Sequence, residues 1–126
     1  MIVLDACVLI AHLDDTDRHH DRATHLLSAT DEPFAASALT LAEVLVGPAR
    51  AGQLEVAHRA LQLLGVTSVG ITGDVAASLA LLRVKTRLKM PDCCALLAAV
   101  QRSARLATFD ERLAAAARDH GVPVLD

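Results

Sequence analysis

The 126 residues are enough for one domain, and a net charge of −3, from 12 Lys+Arg against 15 Asp+Glu, argues against holding a nucleic acid by bulk positive charge. Aromatic residues are 2% of the chain, both of them Phe, which argues against single-stranded nucleic-acid binding through rows of aromatic platforms. No stretch is long and apolar enough to span a membrane, and no basic region precedes the apolar N-terminal residues, so a cytosolic protein is expected.

Hydrophobic residues make up 53% of the sequence, many of them alanine, so the helices are expected to pack closely. In chain order, Ile2-Val3-Leu4 reads as a short buried strand and Ala6 to about Leu13 as a helix. The acidic patch Asp14, Asp15, Asp17 leads into His19-His20-Asp21 and a helix to about Leu27, with Ala23, Leu26 and Leu27 on one face. Glu32-Pro33 breaks the chain before a strand at Phe34-Ala36. Helices follow from about Leu39 to Arg50, closed at Gly47-Pro48 or Gly52, and from Leu54 to Leu64, closed by Gly65.

Thr67–Val69 is a weak strand, and Gly70–Gly73 a turn. A long helix is predicted from Asp74 to Lys89, stopped by Met90-Pro91, and a second from Pro91 to Arg102, with Pro favoured in its first turn. Arg105–Phe109 is a strand, Glu111–Asp119 a helix ended by Gly121, and Pro123–Leu125 the last strand. Strands alternating with helices predict a single α/β domain over residues 1–126, with helices sandwiching a parallel sheet.

Four acids stand out by position. Asp5 sits between two apolar runs, where an uncompensated carboxylate costs several kcal/mol. Glu43 lies in the otherwise apolar Leu41-Val46, Asp92 opens the apolar helix after Pro91, and Asp110 follows the strand ending at Phe109. Each has a local explanation. Asp5 and Asp110 suit helix N-caps, Thr40-Leu-Ala-Glu43 fits a capping box, and Asp92 in a first turn suits the helix dipole. Four separate local roles do not explain why all four are acidic and all lie next to buried apolar sequence.

A shared cation does explain it. Two carboxylates about 4 Å apart repel by roughly 4 kcal/mol at an effective dielectric of 20, so a cluster of four needs a cation to hold it. Oxygen ligands without His or Cys select Mg²⁺ or Mn²⁺ and suit phosphodiester hydrolysis by a metal-activated water. Setting four carboxylates aside leaves 11 acids against 12 bases, which is compatible with a polyanionic substrate.

The segments MIVLDACVLI from Met1 to Ile10, LAEV from Leu41, MPDCCALLAA from Met90 and ATFDERL from Ala107 together resemble, over the whole chain, the ordered motifs of PIN-domain ribonucleases, and most of all the VapC toxins of prokaryotic toxin–antitoxin pairs. The resemblance implies a three-layer α/β/α PIN fold in which Asp5, Glu43, Asp92 and Asp110 are the catalytic, Mg²⁺- or Mn²⁺-binding residues. It further implies an endoribonuclease that cuts RNA, a homodimer, and inhibition by a cognate VapB-like antitoxin. Helices 7–13 and 39–50 are the expected antitoxin surface. Cys7 stands where the family commonly has a small polar residue, and Thr108 fits the family pattern as a group that orients a carboxylate or a water. Capping through Thr108-x-x-Glu111 is the local alternative.

The remaining titratable groups carry weaker signals. His12, His19, His20, Asp21 and His25 match no zinc spacing and read as a solvated face open to contact with RNA or antitoxin. Cys7, Cys93 and Cys94 form neither a disulfide framework nor a zinc motif and read as small buried hydrophobes. Arg83, Lys85, Arg87 and Lys89 run up to Asp92, either as a solubilising helix surface or to position phosphate. An aspartate-nucleophile phosphatase would need an acid where Cys7 stands, and a phosphotransfer receiver a mid-chain Asp closing a strand, where the best acid is the helical Glu43. A stand-alone PIN nuclease in RNA processing and a non-catalytic PIN-like scaffold remain the alternatives.

Overall fold

A computed structural model describes all 126 residues, Met1–Asp126. Five short strands, β1 (Ile2–Leu4), β2 (Phe34–Ser37), β3 (Thr67–Val69), β4 (Arg105–Ala107) and β5 (Val124–Leu125), form one sheet in the order β3-β2-β1-β4-β5. Every neighbouring pair is parallel. Seven α-helices connect them: α1 (Ala6–Leu13), α2 (His20–Ser28), α3 (Ala38–Arg50), α4 (Leu54–Leu64), α5 (Ala76–Thr86), α6 (Met90–Gln101) and α7 (Glu111–Asp119). This is the three-layer α/β/α arrangement expected from the alternation of strands and helices.

Side-chain alternation along the strands divides the interior into two cores. Val3, Ala35 and Leu106 point to the face covered by α5, α6 and α7, where they meet Leu79, Leu96 and Leu113. Ile2, Leu4, Phe34 and Ala36 point to the other face, where they meet Val8 and Leu9 of α1, Leu27 of α2 and Leu61 of α4. The alanines work as expected: Ala95 and Ala99 of α6 are fully buried, letting this helix lie close on the central strands. No helix is long and apolar enough to cross a membrane.

The long helix predicted from Asp74 to Lys89 is shorter at both ends. It begins as a 3₁₀ turn at Gly73–Val75, and α5 stops at Thr86. The Thr86 hydroxyl donates to the Leu82 carbonyl at 2.6 Å and accepts from the Leu88 amide at 3.2 Å, Arg87 adopts left-handed backbone with φ 59°, and Leu88 turns into the core. Burying Leu88 outweighs extending an exposed helix by one turn. The basic run therefore divides: Arg83 and Lys85 stay on α5, and Lys89 becomes the N-terminal flank of α6. The strand predicted to reach Phe109 ends at Ala107, because the Asp110 amide donates to the Thr108 hydroxyl at 3.0 Å and bends the chain into α7. Helix α3 runs through Gly47-Pro48 to Arg50, and Gly52, with φ 70°, accommodates the turn that follows.

These assignments separate core from surface leucines. Leu106→Ala, at a fully buried position, should cost about 2–5 kcal/mol in urea denaturation, whereas Leu63→Ala, at a side chain 80% exposed, should change stability by about 0.5 kcal/mol or less. Equal losses from the two would contradict the two-core packing.

Candidate active site

The chain leaves β1 toward β2 and β3 on one side of the sheet and returns to β4 on the other. The crevice beyond the carboxyl ends of β1 and β4 is thus a topological switch point, where open α/β sheets bind ligands. The register pairs Leu4 with Ala107, and the Asp5 amide donates to the Ala107 carbonyl at 3.0 Å. Asp5 and the turn carrying Thr108 and Asp110 are therefore adjacent across one strand pair.

Asp5 is 6% exposed, and three donors converge on its carboxylate. Oδ1 accepts from the Ala6 amide at 2.8 Å; Oδ2 accepts from the Thr108 hydroxyl at 2.7 Å and from the Cys7 thiol at 3.2 Å. Helix capping thus occupies one oxygen, and tertiary contacts fix the other. Cys7 also accepts from the Phe109 amide at 3.3 Å. Burial and the neighbouring Asp5 charge push its thiol up to about 11, so near neutral pH it stays protonated and works as a donor. Thr108, fully buried, holds Asp5 and the backbone of Asp110 together. The capping box through Thr108 and Glu111 does not form, because Asp110 itself caps α7, its Oδ1 accepting from Arg112 and Leu113 at 2.8 and 3.1 Å.

The other two acids reach the same edge from helices. Asp92, half-buried in the first turn of α6, has its carboxyl pushed up to about 6, first by burial and then by the charges of Asp5, Asp110 and Glu43; Lys89 opposes the shift. Glu43, exposed on α3, is also raised by partial desolvation and by Asp5, again against Lys89. The four carboxylates share one electrostatic field, and Lys89 is the basic residue that offsets it. Glu43 takes no part in a capping box, since Thr40 lies inside α3 and Ser37 is the cap, accepting from the Leu39 amide at 3.3 Å. As placed, no three His, Cys, Asp or Glu side chains converge closely enough to hold a metal ion between them. The acids feel one another's charge at the strand ends without closing into a cage.

The histidines do not gather into a ligand set. His12 stacks on His20 with ring centroids 6.4 Å apart, His12 Nδ1 meets the Thr24 hydroxyl at 3.1 Å, and His20 Nδ1 meets the Ala11 carbonyl at 2.8 Å. His19 instead packs on Phe109, with centroids 5.2 Å apart, and the Arg22 guanidinium lies 4.3 Å over the same ring. Phe109 and Arg22 carry no signal in the sequence beyond the position of Phe109 one residue before Asp110. Nor does the sequence separate Lys89 from the three other bases in its run.

The PIN domain family matches residues 2–119 of this chain. Among solved structures, a chain of a toxin–antitoxin complex from Klebsiella pneumoniae is 28% identical, with a TM-score of 0.80, covering 100% of this chain and 97% of that one. FitAcB from Neisseria gonorrhoeae is 27% identical, with a TM-score of 0.75 and coverage of 100% and 97%. The Mycobacterium tuberculosis toxin VapC20, which cleaves the sarcin–ricin loop, shares the fold with a TM-score of 0.80 at 17% identity, covering 92% of this chain and 95% of that one. Curated protein sequences provide no significant match. With the family match spanning nearly the whole chain and the β1–β4 crevice ordered around Asp5, this protein belongs to the PIN-domain family.

Proposed function

We propose that this PIN-domain protein is the toxin of a toxin–antitoxin pair, an endoribonuclease that uses Mg²⁺ or Mn²⁺ at Asp5, Glu43, Asp92 and Asp110. The observation that carries this reading is the common field of these carboxylates, centred on a buried Asp5 pinned by Thr108, Cys7 and the Ala6 amide. The donor set fits a hard divalent cation, being all carboxylate oxygen, while the Cys7 thiol is turned to Asp5 and kept protonated. Asp110 keeps Oδ2 clear of its capping bonds, which occupy Oδ1, and Glu43 is exposed, so each has a carboxylate oxygen to offer a cation. When bound, the cation would supply an activated water and neutralise charge on the scissile phosphodiester. The chain's own residues do the positioning. Thr108 and Cys7 fix the Asp5 rotamer, α6 presents Asp92 and α3 presents Glu43, and Lys89 stands ready to contact a phosphate oxygen.

The partner reading rests on a second feature. An apolar groove of about 580 Å³ runs between α1, α3 and α4, lined by Ile10, Leu13, Val44, Pro48 and Val56, with Glu43 also on its wall. The groove adds α4 to the two helices expected from the sequence. An antitoxin segment seated there could extend an Arg to the carboxylates and compete with both cation and RNA. The full-length likeness to the Klebsiella chain supports the same assignment. A homodimer is part of the proposal, and the exposed Leu81 and Val84 of α5 offer apolar surface for it.

Asp5→Asn and Asp92→Asn should each reduce RNA cleavage to background while leaving the circular dichroism spectrum unchanged, and EDTA should do the same to the unmodified chain. Full activity in EDTA would reject the metal reading. Co-expression with the neighbouring upstream gene should rescue growth and yield a co-purifying complex; equal toxicity with and without it would leave a stand-alone PIN nuclease.

The raised Asp92 carboxyl also has a signed consequence for stability. Asp92 binds its proton more tightly in the folded chain, so its contribution is fully present below the unfolded value of 3.8 and is lost as pH rises through about 6. In metal-free buffer at pH 7.5, Asp92→Asn should therefore raise the melting temperature by roughly 3–6 °C, corresponding to about 1 kcal/mol once solvent screening of this half-exposed group is allowed for. The gain should shrink toward zero near pH 4. A melting temperature unchanged at pH 7.5 would show that neither burial nor the neighbouring carboxylates disfavour ionised Asp92 in the folded chain.

A further inference from the structure

The chain has two phenylalanine rings, and they are used differently. Phe34 is buried in the core at 7% exposure. Phe109 is half-exposed, stands one residue before Asp110, and has its backbone tied to the site through the bond from its amide to Cys7. The Arg22 guanidinium covers its ring at 4.3 Å, and His19 packs against it at a 44° tilt with centroids 5.2 Å apart, so a cation lies over one aromatic face next to Asp110. Beside this layer opens a polar cavity of about 380 Å³, lined by Arg22, Phe109, Asp110, Glu111, Arg118 and Asp126. That volume is within the roughly 300–1,000 Å³ of small-ligand sites. Because Asp110 belongs to both the cavity and the carboxylate cluster, whatever binds there is contiguous with the scissile group.

We propose that this cavity is a nucleobase subsite, in which the Phe109–Arg22 layer stacks the base next to the cut and the polar wall selects guanine. The proposal rests on the ribonuclease reading of the adjoining carboxylates. The lining chemistry favours a base over a phosphate. Two guanidinium groups face three carboxylates, Asp110, Glu111 and Asp126, so a second anion gains little, whereas a flat ligand with both donors and acceptors can pair with both kinds of group. Guanine presents two adjacent acceptors, O6 and N7, which match an arginine fork. It also presents two adjacent N–H donors, at N1 and N2, which match a carboxylate. Cytosine lacks the donor pair, and adenine and uracil lack both. Arg118, held 3.3 Å from Asp126, is placed to offer the fork, and Glu111 the carboxylate. A contact serving only to staple α2 to the start of α7 would need the Arg22–Phe109 stack but not the open polar cavity beside it.

The test uses the full chain carrying Asp92→Asn, which binds without cutting, and a fluorescein-labelled RNA hexamer of random sequence in Mg²⁺ buffer. Phe109→Leu, which keeps apolar packing but removes the π face, and Arg118→Ala, on the opposite and exposed wall, should each weaken hexamer binding by about tenfold. GMP should displace the hexamer at lower concentration than AMP, CMP or UMP. In the cleaving chain, end-mapping should show a guanine preference beside the cut that Phe109→Leu flattens, with KM raised more than kcat is lowered. Unchanged binding in both variants, or equal competition by the four nucleotides, would overturn the subsite. Base-selective binding by a chain that cuts no RNA in Mn²⁺ would uphold the subsite and overturn the ribonuclease reading alone.

Discussion

The burial of Asp5 is the constraint on which the active edge depends. A carboxylate 6% exposed between apolar segments is tolerable only when its oxygens are satisfied, and the partners must arrive in the correct place. One comes from the next residue, the Ala6 amide, and one from Cys7 in the same helix. The shortest of the three contacts comes from Thr108, 103 residues away, and exists only because the parallel register sets Leu4 opposite Ala107. A slip of one residue would turn Thr108 to the opposite face and leave an uncompensated charge. Sheet register, buried charge and the bend that sends the chain into α7 are thereby one coupled arrangement, with Thr108 serving all three.

A second tension lies between stability and chemistry. Asp92 is half-buried beside Asp5, Asp110 and Glu43, and its carboxyl resists ionisation first because of that burial and then because of those charges. Lys89 relieves part of the load from the loop that precedes α6, and its placement follows from ending α5 at Thr86 so that Leu88 can enter the core. Close-packed alanines on α6 allow the helix to bring Asp92 to the strand ends. Sites that collect like charge commonly destabilise their own fold, and a cation or a cationic partner side chain restores the balance.

The surface around the cluster is asymmetric. The groove of α1, α3 and α4 is largely apolar and meets the carboxylates at Glu43. The cavity beside Phe109 is polar and meets them at Asp110. In the functional reading proposed above, an inhibitory protein segment and an RNA base approach the same carboxylates from opposite flanks. That geometry lets the partner compete at the cluster without having to imitate a nucleotide.

The sequence by itself determined the alternation of elements, because hydrophobic periodicity and Gly/Pro punctuation are local properties, and it picked out the four acids because each sits against apolar sequence, Asp5, Asp92 and Asp110 at element ends and Glu43 within a helix. It determined less where local signals competed with packing. Thr40 and Glu43 matched a capping box, yet Ser37 caps α3, and the helical pattern to Lys89 yielded to burial of Leu88. Only the tertiary structure decided that Asp5 and Thr108 meet, that Lys89 and not the rest of its run offsets the acids, and that Arg22 and His19 lie against Phe109. These contacts join residues far apart in the chain through strand order and register, and the spacing of side chains along a sequence carries no record of which strand lies beside which.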